Sequence, residues 1–305
     1  MSASSDSLSL RDALFAVAVT AVWGSNFVVI HDALEHLPPL LLAALRFTFS
    51  FFPAVLFLKR PDVPWRSLAA YGILVGAGQF GILYIAMNGH ITPGLASLVV
   101  QTQVFFTIAL ASVLTGEKVR PFQIVAVLVA ASGLALILTH TDGNTTPLGL
   151  GLVLVAAASW AGSNIVVRSS PGVDMLAYVV WASLFTVPPL LLFSLLFEGW
   201  PAIRTGLVEA DAATWGAVLW QAIGNTMFGY AMWAWLLSRY PVATVAPMAL
   251  LVPVFGIASS ALWLGEPLQD WKLTAAALVM AGLAFNLLWP KFAAARAAKA
   301  ARETA

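Results

Sequence analysis

The polar side chains set inside the apolar stretches of this chain are amides, hydroxyls and aromatics. Ser97 and Gln101 stand four apart, as do Gln103 and Thr107; Gln221 and Asn225 repeat the spacing, followed by Tyr230, Trp233 and Trp235. Gln79, Tyr84 and Asn88 form a further group. Residues four apart share a helix face. An amide both donates and accepts, so such a face can hold an ammonium and a carboxylate together, as in a zwitterion. Aromatic walls suit an apolar or cationic remainder. This is binding chemistry. The chain has no cysteine, so thiol catalysis and thiolate metal sites are excluded. Intramembrane aspartyl proteolysis needs two membrane aspartates that are absent, and a Ser/His pair would depend on His90 with no nucleophile motif. No enzyme activity, metal or cofactor is expected.

The elements that must carry these residues are set by composition. Sixty per cent of residues are apolar and 10% charged, with mean hydropathy +0.89. A soluble domain charges roughly a quarter of its residues, so this outer face must meet lipid. Ten apolar segments are each near the roughly 20 residues needed to cross about 30 Å of hydrocarbon. They are read at 11–30, 38–58, 67–88, 93–114, 121–139, 148–168, 174–197, 213–238, 241–264 and 270–289. Proline and glycine punctuate them. The first is a true span and not a signal peptide, because it has an internal copy.

That copy is the organising feature. Trp23-Gly24-Ser25-Asn26 returns as Trp160-Ala161-Gly162-Ser163-Asn164. Phe80-Gly81, Thr115-Gly116-Glu117 and Gly133-Leu134 return as Phe228-Gly229, Leu264-Gly265-Glu266 and Gly282-Leu283, at offsets of 148 to 149. Twelve lysines and arginines fall on one set of alternate loops and tails, against Arg204 and Lys272 on the other and Arg46 within a span. Positive-inside bias puts both termini in the cytoplasm. Five spans per copy force the second to enter upside down. The expectation is an all-α polytopic membrane protein of ten transmembrane helices arranged as two inverted five-helix repeats. Its parts are a disordered tail 1–10, repeats 11–140 and 148–290, a linker 141–147, and a cytoplasmic tail 291–305 that extends the last helix. Inverted copies make outward-open and inward-open arrangements comparable in energy, which a carrier requires. A channel would want a continuous polar stripe or charged ring, and the amides here are scattered.

These residues resemble the drug/metabolite transporter superfamily and, within it, the EamA-type ten-helix exporters. The resemblance runs over about 10–290. It is carried by Trp-Gly-Ser-Asn in helix one, Ala44-Leu45-Arg46-Phe47 in helix two, the two Gly-Glu turns, the Gly-Leu pairs, and Leu251-Val252-Pro253-Val254 in helix nine. Gln103 stands at the first-half counterpart of Pro253, a departure from the pattern. The resemblance implies export of amino acids or related small metabolites through a cavity between the halves. Aromatic and amide richness brings the chain nearest to bacterial exporters of aromatic and other neutral amino acids, in the inner membrane.

The substrate-binding candidates are Gln101, Gln103, Trp160, Asn164, Gln79, Tyr84, Asn26, Trp23, Asn225 and Tyr230. Asn26 and Asn164 also read as packing glue across helices, and Trp160 and Tyr84 as cavity wall or packing alike. Trp65, Trp200, Trp215, Trp271 and Trp289 are interface anchors. Arg46, Pro247 and Pro253 are structural or gating candidates. Arg46, near mid-membrane, either binds a substrate carboxylate or is locked to helix-end carbonyls or a buried amide, with the lock favoured. Pro247 and Pro253 kink or unwind helix nine. No acid lies centrally in a span, so facilitative export is expected, of neutral or aromatic amino acids or similar metabolites. Proton-coupled export of cationic drugs or nucleotide-type metabolites is the alternative. Partners are a small-molecule substrate and the bilayer, with no nucleic acid, and the protein is expected as a monomer.

Overall fold

Prolines open four of the long helices and left-handed glycines close two. The computed structural model describes residues 8–303 apart from Asp142 and Pro171, so residues 1–7 of the expected tail, Asp142 of the expected linker, and 304–305 lie outside the described residues. All elements among the described residues are helical. In chain order they begin with α1 (Leu10–Leu34), α2 (Pro39–Phe51), α3 (Trp65–Met87), α4 (Pro93–Leu114), α5 (Pro121–Thr139) and α6 (Pro147–Arg168). There follow α7 (Met175–Phe193), α8 (Gly199–Glu209), α9 (212–239), α10 (242–264) and α11 (Asp270–Glu303). Pro39, Pro93, Pro121 and Pro147 occupy first turns, where a missing N–H breaks no intrahelical bond. Gly116 and Gly265, at φ 73° and 65°, end α4 and α10 in the same left-handed conformation.

Among the described residues nine helices are long and apolar enough to cross a membrane, α8 forming the continuation of one of them. This is a multi-pass integral membrane protein. The helix outside that count is α9, which runs unbroken from 212 to 239 but is diluted by Gln221, Asn225 and four tryptophans. Two boundaries differ from the sequence reading. Pro53 interrupts the second span, so α2 stops at Phe51 and a single turn, Ala54–Leu56, follows. The stretch after span seven, read as a loop, continues through a π-helical turn, Ser194–Glu198, into α8. Ile203 and Gly206 of α8 are buried, and Gly206 packs on His36 and Pro38. α11 extends past its expected span through Pro290.

Backbone irregularities recur at the repeat spacing. α3 is π-helical over Leu74–Gly81 and α9 over Trp220–Phe228. α4 tightens to a 3-10 turn at Val100–Thr102, and α10 at Ala246–Leu250, where Pro247 sits. The lipid-facing helices are inside out. On α5, Ala126, Ala130, Gly133 and Ile137 are buried while Ile124, Val125, Leu128 and Leu138 face outward. Small residues let helix backbones approach closely, and large aliphatics meet the lipid tails. α5 and α11 touch along such a seam. A Cβ on Gly133 would lie 2.8 Å from the Ala275 carbonyl oxygen, and one on Gly282 would lie 2.6 Å from that of Ala126. Moving from 126 to 133 on α5 moves the contact from 282 to 275 on α11, so the two run antiparallel.

Cross-loop contacts sort the helix ends into two sets. One, called the basic end here, has Arg11 beside Arg239, Lys59 beside Asp174, and Lys118, Arg120 and Arg168 around one cleft. At the opposite end lie Glu198, whose carboxylate accepts from the N–H groups of Leu40 (2.6 Å) and Leu41 (3.2 Å), and the Glu266 cluster described below.

Candidate functional site

The most buried charge in the bundle is Arg46, on α2, 1% exposed. Ala43 and Ala44 beside it are fully buried small residues that leave room for α7 and α9 to approach. Its Nη1 donates to the Tyr84 hydroxyl (2.9 Å), and its Nη2 to Asn225 Oδ1 (2.8 Å) and Thr226 Oγ1 (3.3 Å). The guanidinium plane lies 3.8 Å from the centroid of the Phe80 ring, close enough for cation–π attraction. The Tyr84 hydroxyl donates a hydrogen bond to Gln221 Oε1, and the Thr226 hydroxyl donates to the Gln221 backbone carbonyl (2.9 Å). Each partner is neutral. An unpaired charge at this depth costs at least roughly 2.5–3.5 kcal/mol, and hydrogen bonds to a charged group return about 1.5–3 kcal/mol apiece. The network thus holds Arg46 in place without cancelling its charge. Two donors are left over: Arg46 Nε and Gln221 Nε2 are buried with no acceptor among the described residues.

An aromatic wall continues from this network. Trp23 Nε1 donates to the Asn225 carbonyl (3.0 Å), and the Trp23 ring packs on Tyr230 and Trp233 at centroid distances of 5.9 and 5.2 Å. Gly229 makes the fit possible, since a Cβ there would come within 2.3 Å of the indole nitrogen. Arg46, Tyr84, Asn225, Trp23 and Tyr230, candidates scattered over four helices, are therefore one assembly.

Gln103 and Asn164 form a second assembly. Asn164 Nδ2 donates to Gln103 Oε1 (2.8 Å) and to Thr107 Oγ1 (3.3 Å), and the Thr107 hydroxyl donates to the Gln103 carbonyl (2.8 Å). This clasps α4 of the first half to α6 of the second. Thr107 also lines a cleft of about 730 Å³ that opens at the basic end, with Glu117, Lys118, Arg120 and Arg168 at its mouth and Asn286 on its wall. Its volume lies within the roughly 300–1,000 Å³ usual for small-molecule sites. Arg168 and Glu117 form an ion pair at 2.5 Å, with both side chains about half exposed.

At the opposite end Glu266 ties three helices together. Its carboxylate accepts from Thr92 Oγ1 (2.6 Å), the Gly94 N–H (3.2 Å), Lys272 Nζ (2.9 Å) and the Ser260 hydroxyl. It therefore caps the positive end of α4 while holding α10 and the start of α11. The longest-range of these bonds, to Thr92 and Gly94, cross the halves. Burial alone would raise its pKa, but the hydrogen bonds from Ser260, Thr92 and Lys272 and the Lys272 charge outweigh burial and hold it below the ordinary glutamate value.

Other candidates stand apart. Among the described hydrogen bonds, the side chains of Gln79, Gln101 and Trp160 join neither assembly. Gln79 is 5% exposed within the α3 π-turn, Gln101 lies half-buried in the α4 3-10 turn, and Trp160 packs on the main apolar core. Asn26 is buried with Oδ1 unpartnered. Pro253 stands in the first turn after the 3-10 stretch of α10, where the Val252 carbonyl and Gly256 lie against Gly24 of α1. Sequence reasoning passed over Phe80 and Thr226. Their places beside Gly81 and Asn225, in the repeated Phe-Gly region, were the available signal.

Comparison with known proteins follows the same lines. A sequence model described as the EamA-like transporter family matches residues 10–139 and again 147–288. A protein of Salmonella typhimurium named "Probable amino-acid metabolite efflux pump" is 43% identical over 286 residues, covering 92% of this chain and 96% of the relative. A protein of the same name from Escherichia coli is 40% identical over 293 residues, covering 93% and 98%. A "Probable terminal-alkyne amino-acid exporter" of Streptantibioticus cattleyicolor is 26% identical over 298 residues, covering 90% and 93%. A solved structure described only as "Crystal structure of protein" aligns with TM-score 0.61 at 20% identity, over 92% of this chain and 97% of that one. At that identity the likeness speaks for the fold alone.

Proposed function

This chain belongs to the EamA-like transporter family, and from that premise we propose that it exports neutral or aromatic amino acids, or similar small metabolites, across the bacterial inner membrane by alternating access. The proposed frame is ten spanning helices in two units, 11–140 and 148–290, inverted with respect to one another, with the basic end in the cytoplasm. The observation that carries it is the reciprocal seam of α5 and α11, where Gly133 meets Ala275 and Gly282 meets Ala126. Equivalent helices related by an axis along the membrane normal would run parallel. These run antiparallel, as an axis in the membrane plane requires. In the arrangement described, the larger cleft, which meets the Gln103–Asn164 pair through Thr107, opens at the basic end, while a smaller one of about 390 Å³ lies between α1 and α9 at the other, where Glu266 ties α4 to α10 and α11. A buried arginine without a counter-charge disfavours cationic cargo, and the names of the relatives favour amino acids over nucleotides. Glu117, Glu198 and Glu266 stand at helix ends, which supports movement down the substrate gradient over proton coupling.

Counterflow uptake into proteoliposomes, with a panel of neutral, aromatic and charged amino acids, tests this reading. Exchange of neutral or aromatic members is expected, without response to an imposed pH gradient. Exchange confined to cations or nucleotides, or steady accumulation against a substrate gradient, overturns it.

A further inference from the structure

We propose that Arg46 and Gln221 are the carboxylate-recognition end of the substrate site, an inference that rests on the transport reading above and names the part of the cargo that is read. Three observations converge. First, Arg46 is 1% exposed and its described side-chain partners are a tyrosine, an asparagine, a threonine and two phenylalanine rings, all neutral. A purely structural lock is best served by a carboxylate; neutral acceptors fix the guanidinium and leave its positive potential for something else. Second, Arg46 Nε and Gln221 Nε2 have no acceptor although both residues are buried, and the Tyr84 hydroxyl bridges the two side chains. Each lacks only an acceptor, which a carboxylate oxygen supplies, and accepting from it breaks no existing bond of that donor. Third, the backbones carrying the partners, Phe80 on α3 and Gln221, Asn225 and Thr226 on α9, are both π-helical here. Such irregular turns concentrate at functional sites. The adjoining wall of Trp23, Tyr230 and Trp233 offers a face for the apolar side chain of a neutral amino acid.

The test uses the full chain in proteoliposomes, with phenylalanine counterflow competed by phenylalanine, phenylalaninamide and phenethylamine. In the unaltered protein, phenylalanine is expected to compete at least about tenfold better than the two analogues that lack a carboxylate. Gln221→Glu keeps the acceptor for Tyr84 but replaces the free donor with a negative charge. It is expected to raise the half-saturation for phenylalanine at least about tenfold and to erase its advantage over the amide. Arg46→Lys keeps the charge while removing the fork, and is expected to weaken phenylalanine more than the amide. A thermal-shift measurement in detergent confirms that each variant folds, and reads stabilisation by phenylalanine independently of transport. Exchange of phenylalanine with equal competition by its amide, or a folded Gln221→Glu protein with unchanged preference, overturns the carboxylate site and leaves the transport reading standing. No exchange of any amino acid, with Arg46-dependent stabilisation by another carboxylate, overturns the transport reading and keeps the site. Absence of both sinks both.

Discussion

Gly282 lies so close to Ala126 that a Cβ on the glycine would sit 2.6 Å from the alanine carbonyl oxygen. Backbone cannot retreat there, because the mirror contact of Gly133 with Ala275 fixes the same seam two turns away. Gly282→Ala is therefore expected to destabilise by about 1–3 kcal/mol, as overpacking does, despite alanine's better helix propensity. Gly151→Ala, on α6 with nothing within 4 Å of the added carbon, is the matched control and should be neutral or stabilising by roughly 0.5–1 kcal/mol. Thermal melts of the detergent-solubilised proteins check both. Equal melting temperatures for the two variants would contradict the seam.

Glu266 gives the stability of the bundle a pH dependence. Its folded pKa lies below the ordinary value, with burial opposed and overcome by Ser260, Thr92 and Lys272. A depressed carboxyl contributes stability in full above the unfolded pKa of about 4.3 and loses it as pH falls through the folded value. Glu266→Gln leaves Lys272, 8% exposed, without its carboxylate, and is expected to cost on the order of 3 kcal/mol near neutrality, the low end for breaking a buried pair. The gap in melting temperature between the two proteins should hold from pH 7 to about 5 and narrow below about 4.3. Asp211, also held low, chiefly by the Thr214 N–H, contributes in both proteins and cancels from the difference. A gap independent of pH down to 3 would refute the role given to this carboxylate.

Most of the frame was legible because its signals are local. Apolar runs of fixed length, prolines in first turns and glycines past last turns each need only their neighbours, and so does the echo of Trp23-Gly24-Ser25-Asn26 at Trp160–Asn164. What escaped was set by partners far along the chain. Nothing near Glu266 in sequence points to Thr92 and Gly94, more than 170 residues earlier, which lie beside it. α8 was read as loop because its two buried positions, Ile203 and Gly206, make too short a stripe to stand out. At the site, spacing joined Gln221 to Asn225, but only packing could bring Tyr84 and Arg46 to them. α9 keeps a weak hydropathy signal for the same reason: the polar groups that serve the site lower it.

The Gln103–Asn164 clasp meets the cleft through Thr107. Asn164→Ala removes both of its donor contacts, at 2.8 and 3.3 Å, and is expected to cost about 1 kcal/mol of stability while shifting the substrate profile in counterflow. Gln101→Ala and Trp160→Ala extend the comparison to residues outside the clasp. A changed order of preferred substrates identifies cavity wall; an unchanged order with a lower melting temperature identifies packing.

Glu117 occupies in the first half the place of Glu266 in the second, 149 residues on, yet their surroundings differ. Glu266 is 9% exposed and ties three helices; Glu117 is 49% exposed and paired with Arg168 at the mouth of the cleft. Exposed pairs contribute roughly 0–1 kcal/mol, so Glu117→Gln should barely change the melting temperature, in contrast to Glu266→Gln. Transport should respond differently. If the halves exchange roles as the bundle opens to the other side, Glu117 takes up helix-capping duty at the start of α10, as Glu266 does at the start of α4. Loss of that cap raises the energy of the second arrangement only. Counterflow by Glu117→Gln is then expected to slow several-fold, with half-saturation little altered, because a helix-cap contribution of about 1 kcal/mol is about a fivefold population change. A variant with unchanged turnover would remove the exchange of roles, and one with a sharply lowered melting temperature would show that Glu117 already bears structure in the arrangement described here.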